Sequence, residues 1–308
     1  MLRSRRFRLT LLLASLAAIP LAAVQEAAAQ EALPWCFTGF HPGEVEGTVF
    51  LPEGDLFCPL IADPKGEHSF ASYLRGDFPV LRDGEDPGED LDIGSVGLAE
   101  TLPIVRFGAG QPGNGIQIGL TGSVFAQFDL DSESYDLINA DYLIGIPVTF
   151  RAGAFSTRLR VYHQSSHLGD EFLLRTELQR ENLSFEALDI LLSREFGRVR
   201  VYAGGEQLFR REPDALESTV AHAGAEFRAG RLRGLRLVGA VDTKFAEQHD
   251  WDPGISARAG FEIAYWRDAE HPPRLLGFLA EYYDGPSPYG QFFQEQVRWF
   301  GLGLHVTM

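Results

Sequence analysis

The chain has 308 residues, with 43 acidic against 27 basic side chains and a formal net charge of −16. That balance excludes a nucleic-acid partner held by a basic surface. No stretch after the N-terminal leader has an apolar run long enough for a transmembrane helix, so any membrane crossing must use strands.

The chain opens MLRSRRFRLTLLLASLAAIPLAAVQEAAAQ. Arg3, Arg5, Arg6 and Arg8 form a positive n-region, residues 9–24 are apolar, and Ala27 and Ala29 make an A-x-A site. Residues 1–29 therefore read as a cleaved secretory signal peptide. Cleavage after Ala29 leaves 23 basic against 42 acidic residues, a net charge of −19. Residues 30–66 are rich in Pro, Gly and acids and read as an irregular segment. Cys36 and Cys58, the only cysteines, predict a disulfide closing a short loop, because an even pair in an exported chain is first a covalent clip and only second a paired metal site.

Residues 67–308 predict an all-β protein. Two modest strand candidates, 69–75 and 97–108, flank an acidic loop at 76–95. From 116 onward apolar residues alternate at period two, in sets such as Ile144/Ile146/Val148/Phe150, Leu276/Phe278/Ala280/Tyr282 and Phe300/Leu302/Leu304/Val306. The opposite parity carries Arg158, Arg160, Arg200, Glu206, Glu226, Arg258, Glu262 and Glu281. Connections alternate long (near 129–137, 164–180, 210–218, 246–254 and 284–296) and short (151–155, 194–198, 228–234 and 267–274). A soluble sandwich also alternates, but this loop asymmetry and a last strand that alternates to the chain end favour an antiparallel transmembrane β-barrel of 10–12 strands, with the two early candidates supplying the last pair. In so narrow a barrel the inner charges are expected to pair and fill the lumen. The barrel places the protein in the bacterial outer membrane, with outer-membrane lipid around it and the barrel-assembly machinery as its partner during biogenesis.

The segments LIADPK (60–65), FAQFDLDSESYDLINADYLIGIP (125–147), YHQSSHLGDEF (162–172), ENLSFEALD (181–189) and EYYDGPSPYGQFF (281–293) together resemble the bacterial family called domain of unknown function 1207. The resemblance covers most of the chain after the leader and implies a cell-envelope protein without assigning it an activity.

One stretch raises the question of chemistry. On RLRVYHQSSHLGDEF (158–172) the outer parity passes through Leu159 and Val161 to His163 and Ser165. Two residues apart on a strand, these side chains share a face, so an imidazole can serve as base for a seryl hydroxyl, given a carboxylate to orient it. Glu177, read on the same outer parity as Leu183 and Phe185, is the preferred carboxylate, with Asp170, Glu171 and Glu181 as rivals. The pattern is similar to that of outer-membrane phospholipase A and of the lipid A 3-O-deacylase. It implies His163 as base, Ser165 as nucleophile and Glu177 as orienter. Ser166 stands where those families have Asn, and His167 where the phospholipase has Gly. The bland alternative is a strand running out into a polar loop.

A divalent cation near His163, His167, Asp170 and Glu171 is a weaker reading, because the spacing matches no standard site. Asp170, Glu171, His167, Tyr289 and Phe292 are candidate ligand contacts in the long loops. The acidic run at Asp129, Asp131 and Asp136 reads as a solvated loop, without the register of a calcium hand. Three function classes follow: a non-catalytic barrel, structural or a narrow pore; a lipid acyl ester hydrolase; and a surface-binding protein using acidic and aromatic loops.

Overall fold

The computed structural model describes residues 46–78, 90–110, 113–176, 182–229, 235–265 and 274–307. The described elements are β1 (Glu46–Phe50), β2 (Ser69–Asp77), β3 (Leu91–Ala109), β4 (Gly115–Asp129), β5 (Leu137–Ala152), β6 (Phe155–Leu168) and a helix α1 (Asp170–Thr176). They continue with β7 (Leu183–Phe196), β8 (Val199–Glu212), β9 (Thr219–Arg228), β10 (Leu235–Ala246), β11 (Pro253–Tyr265), β12 (Arg274–Pro286) and β13 (Gln296–Thr307). Strands β2 to β13 pair antiparallel in sequence order, and β13 pairs back onto β2, so twelve strands close a barrel. The thirteenth, β1, extends one edge: β2 covers 91–97 of β3 and β1 covers 105–109.

Alternation explains both faces. On β6, Phe155, Leu159 and Val161 face out and are exposed, while Arg158, Arg160 and Tyr162 face in and are buried. The same division recurs on β10 to β13, where Leu237, Phe261, Phe278 and Leu302 stand on the outside. A continuous ring of exposed aliphatic and aromatic side chains would be an aggregation hazard in water and is the expected belt in a bilayer.

The lumen is not empty. Residues 51–68, all but the last two from the segment expected to be irregular, cross it, with Leu56, Phe57, Leu60 and Ala62 buried. Their backbone carbonyls meet inward arginines one after another. Arg106 donates to the carbonyls of Glu53 and Gly54 (both 2.9 Å), Arg151 to Leu56 (2.9 Å), Arg200 to Cys58 (3.0 Å) and Arg258 to Ile61 (2.8 Å). In return the Ile61 amide donates to Glu226 at 2.8 Å. Ion pairs complete the filling: Arg158 and Arg160 with Glu67 and Asp189, Arg200 with Glu226, and Arg258 with Glu281. The inner charges, expected to pair across the lumen, pair instead with carboxylates on neighbouring strands, and the 51–68 segment adds a second set of partners through Glu67 and its carbonyls.

At the long-loop end a hydrophobic cluster closes the mouth. Phe172 of α1, Tyr289 and Phe292 pack with Ile93, Ile138, Tyr283 and Trp299. Arg175 ties α1 to the loop between β4 and β5 through Asp129 (2.5 Å) and Asp136 (3.0 Å). Two of the acidic loop residues are thus ion-paired anchors of this cap.

Three boundaries differ from the sequence reading. β3 begins at Leu91, inside the expected acidic loop 76–95, because its apolar residues there, Leu91 and Ile93, turn inward to the cap and leave Asp92 and Gly94 outside. β6 runs to Leu168, into the connection expected near 164–180, held by pairing of Ala140 with His167 and Asn139 with Leu168. Residues 46–50 form a strand within the segment expected to be irregular.

Arg258 serves both the wall and the lumen segment, donating to Glu281 at 2.9 Å and to Ile61 and Asp63 carbonyls. Arg258→Ala leaves Glu281 and these carbonyls buried without that donor, and the expected loss of stability is about 3–5 kcal/mol. Denaturant unfolding of the detergent-solubilised protein, followed by the heat-modifiable gel shift of the barrel, measures it.

Candidate functional site

The pairing register lays out the outer wall around the His-x-Ser pair in two rows. One runs Glu100 (β3), Gly122 (β4), Ile144 (β5), His163 (β6), Glu186 (β7) and Arg210 (β8), each opposite the next. The other runs Leu98, Val124, Tyr142, Ser165 and Ser184 on β3 to β7. One pleat nearer the short turns, Ile146, Val161 and Leu188 are opposite one another and all exposed and apolar. His163 and Ser165 therefore face out, at the edge of the apolar belt where it meets a polar row.

His163 has a carboxylate. Its Nδ1 lies 3.5 Å from Glu186 Oε1, and the side chains are 45% and 28% exposed. Arg210 Nη1 lies 3.7 Å from the same carboxylate oxygen. With Nδ1 turned toward Glu186, Nε2 is the nitrogen left for a seryl proton. No hydrogen bond joins Ser165 to His163 among the described residues. Catalytic contacts of this kind commonly tighten only when substrate binds. Beside the pair, the wall is hollowed by about 520 Å³, lined by Leu98, Gly122, Val124, Tyr142 and Ile144 as well as His163 and Ser165.

Glu186 escaped the sequence reading because of parity. Leu183 and Phe185 were expected on the outer face with Glu177. They face the lumen: Leu183 is buried, and Phe185 packs against the inward Tyr162. Near the capped mouth the inner face of β7 is apolar, so the hydrophobic parity there marks the interior and the even residues Ser184 and Glu186 point out. The usable signal was register: in a hairpin, the carboxylate that reaches His163 is the residue opposite it. Glu177 and Glu181 lie outside the described residues, as does Cys36.

The remaining candidates separate. His167 shares the outer parity of His163 and meets the Tyr142 ring edge-on at 5.8 Å. Asp170 and Glu171 occupy the first turn of α1. Tyr289 and Phe292, expected as exposed loop contacts, are cap core residues, 2% and 8% exposed, because aromatic bulk is what seals the mouth. No group of three or more metal-type ligands occurs among the described residues. Cys58 is buried, with Arg151 Nη2 at 3.6 Å from its sulfur.

Ser166, one residue from Ser165, has a different role. It points inward, donates to Asp141 and stands 3.0 Å from Asn139 Oδ1. Asp141 in turn pairs with Lys65 at 2.5 Å and accepts the Gly290 amide at 3.0 Å. The group joins the wall, the lumen segment and the cap.

The comparisons agree with this architecture. Residues 42–308 match the family described as Protein of unknown function (DUF1207). The chain belongs to this family. Among solved structures it is similar to outer membrane phospholipase A from Escherichia coli, with a TM-score of 0.55 and 12% identity, covering 78% of this chain and 90% of that one. The outer membrane phospholipase of Salmonella typhi, solved as a dimer with bound calcium, matches with the same values. Identity this low shows a shared fold: an outer-membrane-type β-barrel. A search of curated proteins finds no match.

The two serines are separable by experiment. Ser166→Ala removes a buried donor from Asp141 and should lower stability by about 1–3 kcal/mol, measured by denaturant unfolding, without altering any chemistry at Ser165 on the other side of the wall.

Proposed function

We propose that this protein is an outer-membrane lipid acyl ester hydrolase whose site lies on the outside of the barrel, with Ser165 as nucleophile, His163 as general base and Glu186 as the group that orients the imidazole. The observation that carries the reading is the Glu186 carboxylate at His163 Nδ1, on the outer wall, next to Ser165 and an apolar hollow. Acyl chains lie outside a barrel, so an esterase here must meet its substrate from the lipid side. Ser165 Oγ attacks the ester carbonyl carbon as its proton passes to His163 Nε2. That proton leaves with the lipid's alcohol, and water then releases the fatty acid and restores the serine. The fold shared with an outer membrane phospholipase supports the reading, and so does the filled lumen, which favours function on the wall over a solute pore.

Purified protein in mixed micelles should release fatty acid from phospholipid or lipopolysaccharide. Ser165→Ala should abolish release, and Glu186→Ala should lower kcat by roughly 10²–10⁴. Equal activity in wild type and Ser165→Ala overturns the assignment.

The same reading places the mature chain in the bacterial outer membrane after removal of residues 1–29, folded there by the assembly machinery. It closes a Cys36–Cys58 disulfide, supported by an even pair of cysteines in a chain that opens on an export signal. Membrane fractionation should recover the protein with the outer membrane, and thiol labelling without reductant should be negative. Recovery as a detergent-independent soluble protein contradicts the location, and two reactive thiols contradict the bridge.

A further inference from the structure

The hollow beside the His163–Ser165 pair has a cause in the sequence. On the row Glu100, Gly122, Ile144, His163, the second position has no side chain. A Cβ built on Gly122 meets no atom within 4 Å, so the glycine is not there to admit a neighbouring chain or side chain. Inward-facing glycines differ: at Gly145 a Cβ would lie 2.7 Å from Tyr162 Cβ, and at Gly260 it would lie 2.1 Å from the Phe278 carbonyl oxygen, whereas Gly239 on β10 is nearly as open as Gly122. The space at Gly122 opens toward the lipid side and is walled by Leu98, Val124, Tyr142 and Ile144. It runs from β6 across β5 and β4 to β3, three interstrand steps, roughly 14 Å at about 4.8 Å each. One end is Ser165 and His163, and the far end is Leu98.

We propose that this hollow is an acyl-chain subsite and that Gly122 sets the length of chain the site accepts. The inference rests on the hydrolase reading for its chemistry. An ester carbonyl placed at Ser165 would send its chain across Tyr142 and Ile144 into the space above Gly122, rather than straight down the strand into the general lipid pool. The apolar lining carries no charge between His163 and Leu98 to oppose a methylene chain. A substrate whose acyl group is too short to reach Gly122 gains nothing from the hollow. Each methylene that does reach it exchanges loose lipid contacts for packing against the walls of the hollow, which appears as an increase in kcat/KM with chain length.

The test is a graded series, Gly122→Ala and Gly122→Leu, assayed in detergent on p-nitrophenyl butyrate and p-nitrophenyl laurate. The open space around the Gly122 Cβ position lets both variants fold, which the heat-modifiable gel shift verifies. Gly122→Leu should lower kcat/KM on the laurate by at least about tenfold and on the butyrate by less than about threefold, with Gly122→Ala intermediate. Loss of equal size on both esters, or on neither, overturns the subsite. A second readout is independent of turnover. In the Ser165→Ala background, a dodecanoic acid bearing a diazirine should photolabel residues 138–150 more than the opposite wall at 235–246, and Gly122→Leu should erase that excess. Labelling that behaves this way in a protein with no hydrolytic activity sustains the subsite and sinks the hydrolase. Hydrolysis that depends on Ser165 but shows neither chain-length discrimination nor the labelling excess does the reverse.

Discussion

The constraint on which this structure depends is that a guanidinium cannot stand in a barrel lumen without acceptors. Arg106, Arg151, Arg200 and Arg258 all point inward and are all buried. Taking a charge out of water costs several kcal/mol per ion unless geometry and hydrogen bonds offset it. Carboxylates on neighbouring strands supply part of the offset, and the carbonyls of residues 53–63 supply the rest. The lumen segment needs the same contacts, because it has no sheet partner of its own and its peptide groups are buried. Wall and filling satisfy each other, and neither is a finished structure alone.

That mutual filling decides where function can sit. With the lumen occupied and one mouth sealed by Phe172, Tyr289 and Phe292, the outside of the wall is the surface on which the proposed site lies. A β-wall is a good place to hold a catalytic group, because register fixes which side chains meet. His163 meets Glu186 because the β6–β7 hairpin puts them opposite, and the same register continues through Ile144 to Gly122. Ser166 shows the other half of this logic. One step along the strand reverses the face, and a hydroxyl chemically identical to that of Ser165 becomes a buried anchor for Asp141.

The barrel was legible in the sequence because water and lipid impose opposite demands on the two parities of a strand. From β8 to β13, charges inside and aliphatic or aromatic residues outside follow the rule except at the cap, where Tyr283, Val297 and Trp299 turn in, and the expected sets match the exposed ones. The rule fails where the inside stops being polar. At Ile93 on β3, and at Leu183 and Phe185 on β7, apolar residues face in to meet the cap and its neighbouring cluster. Hydrophobic parity alone then assigns these residues to the wrong face. That single inversion hid the start of β3 and removed Glu186 from consideration. The His163–Ser165 face was legible because Leu159 and Val161, just before it, obey the rule. The role of residues 51–68 was not, since nothing local in PEGDLFCPLIADPK distinguishes a chain that wraps its carbonyls around arginines from an ordinary acidic loop.

The strand that closes the barrel comes at a cost in timing. The seam between β13 and β2 joins the last strand of the chain to the first strand of the ring, so the circle cannot shut until the whole chain has arrived. Residues 51–68 lead directly into β2 and therefore precede in sequence every strand of the ring they fill. Their arginine partners on β3, β5, β8 and β11 arrive afterwards and in that order. The contents are thus tied to strands spread around the ring, and the last of these contacts and the closing seam both depend on the C-terminal part of the chain.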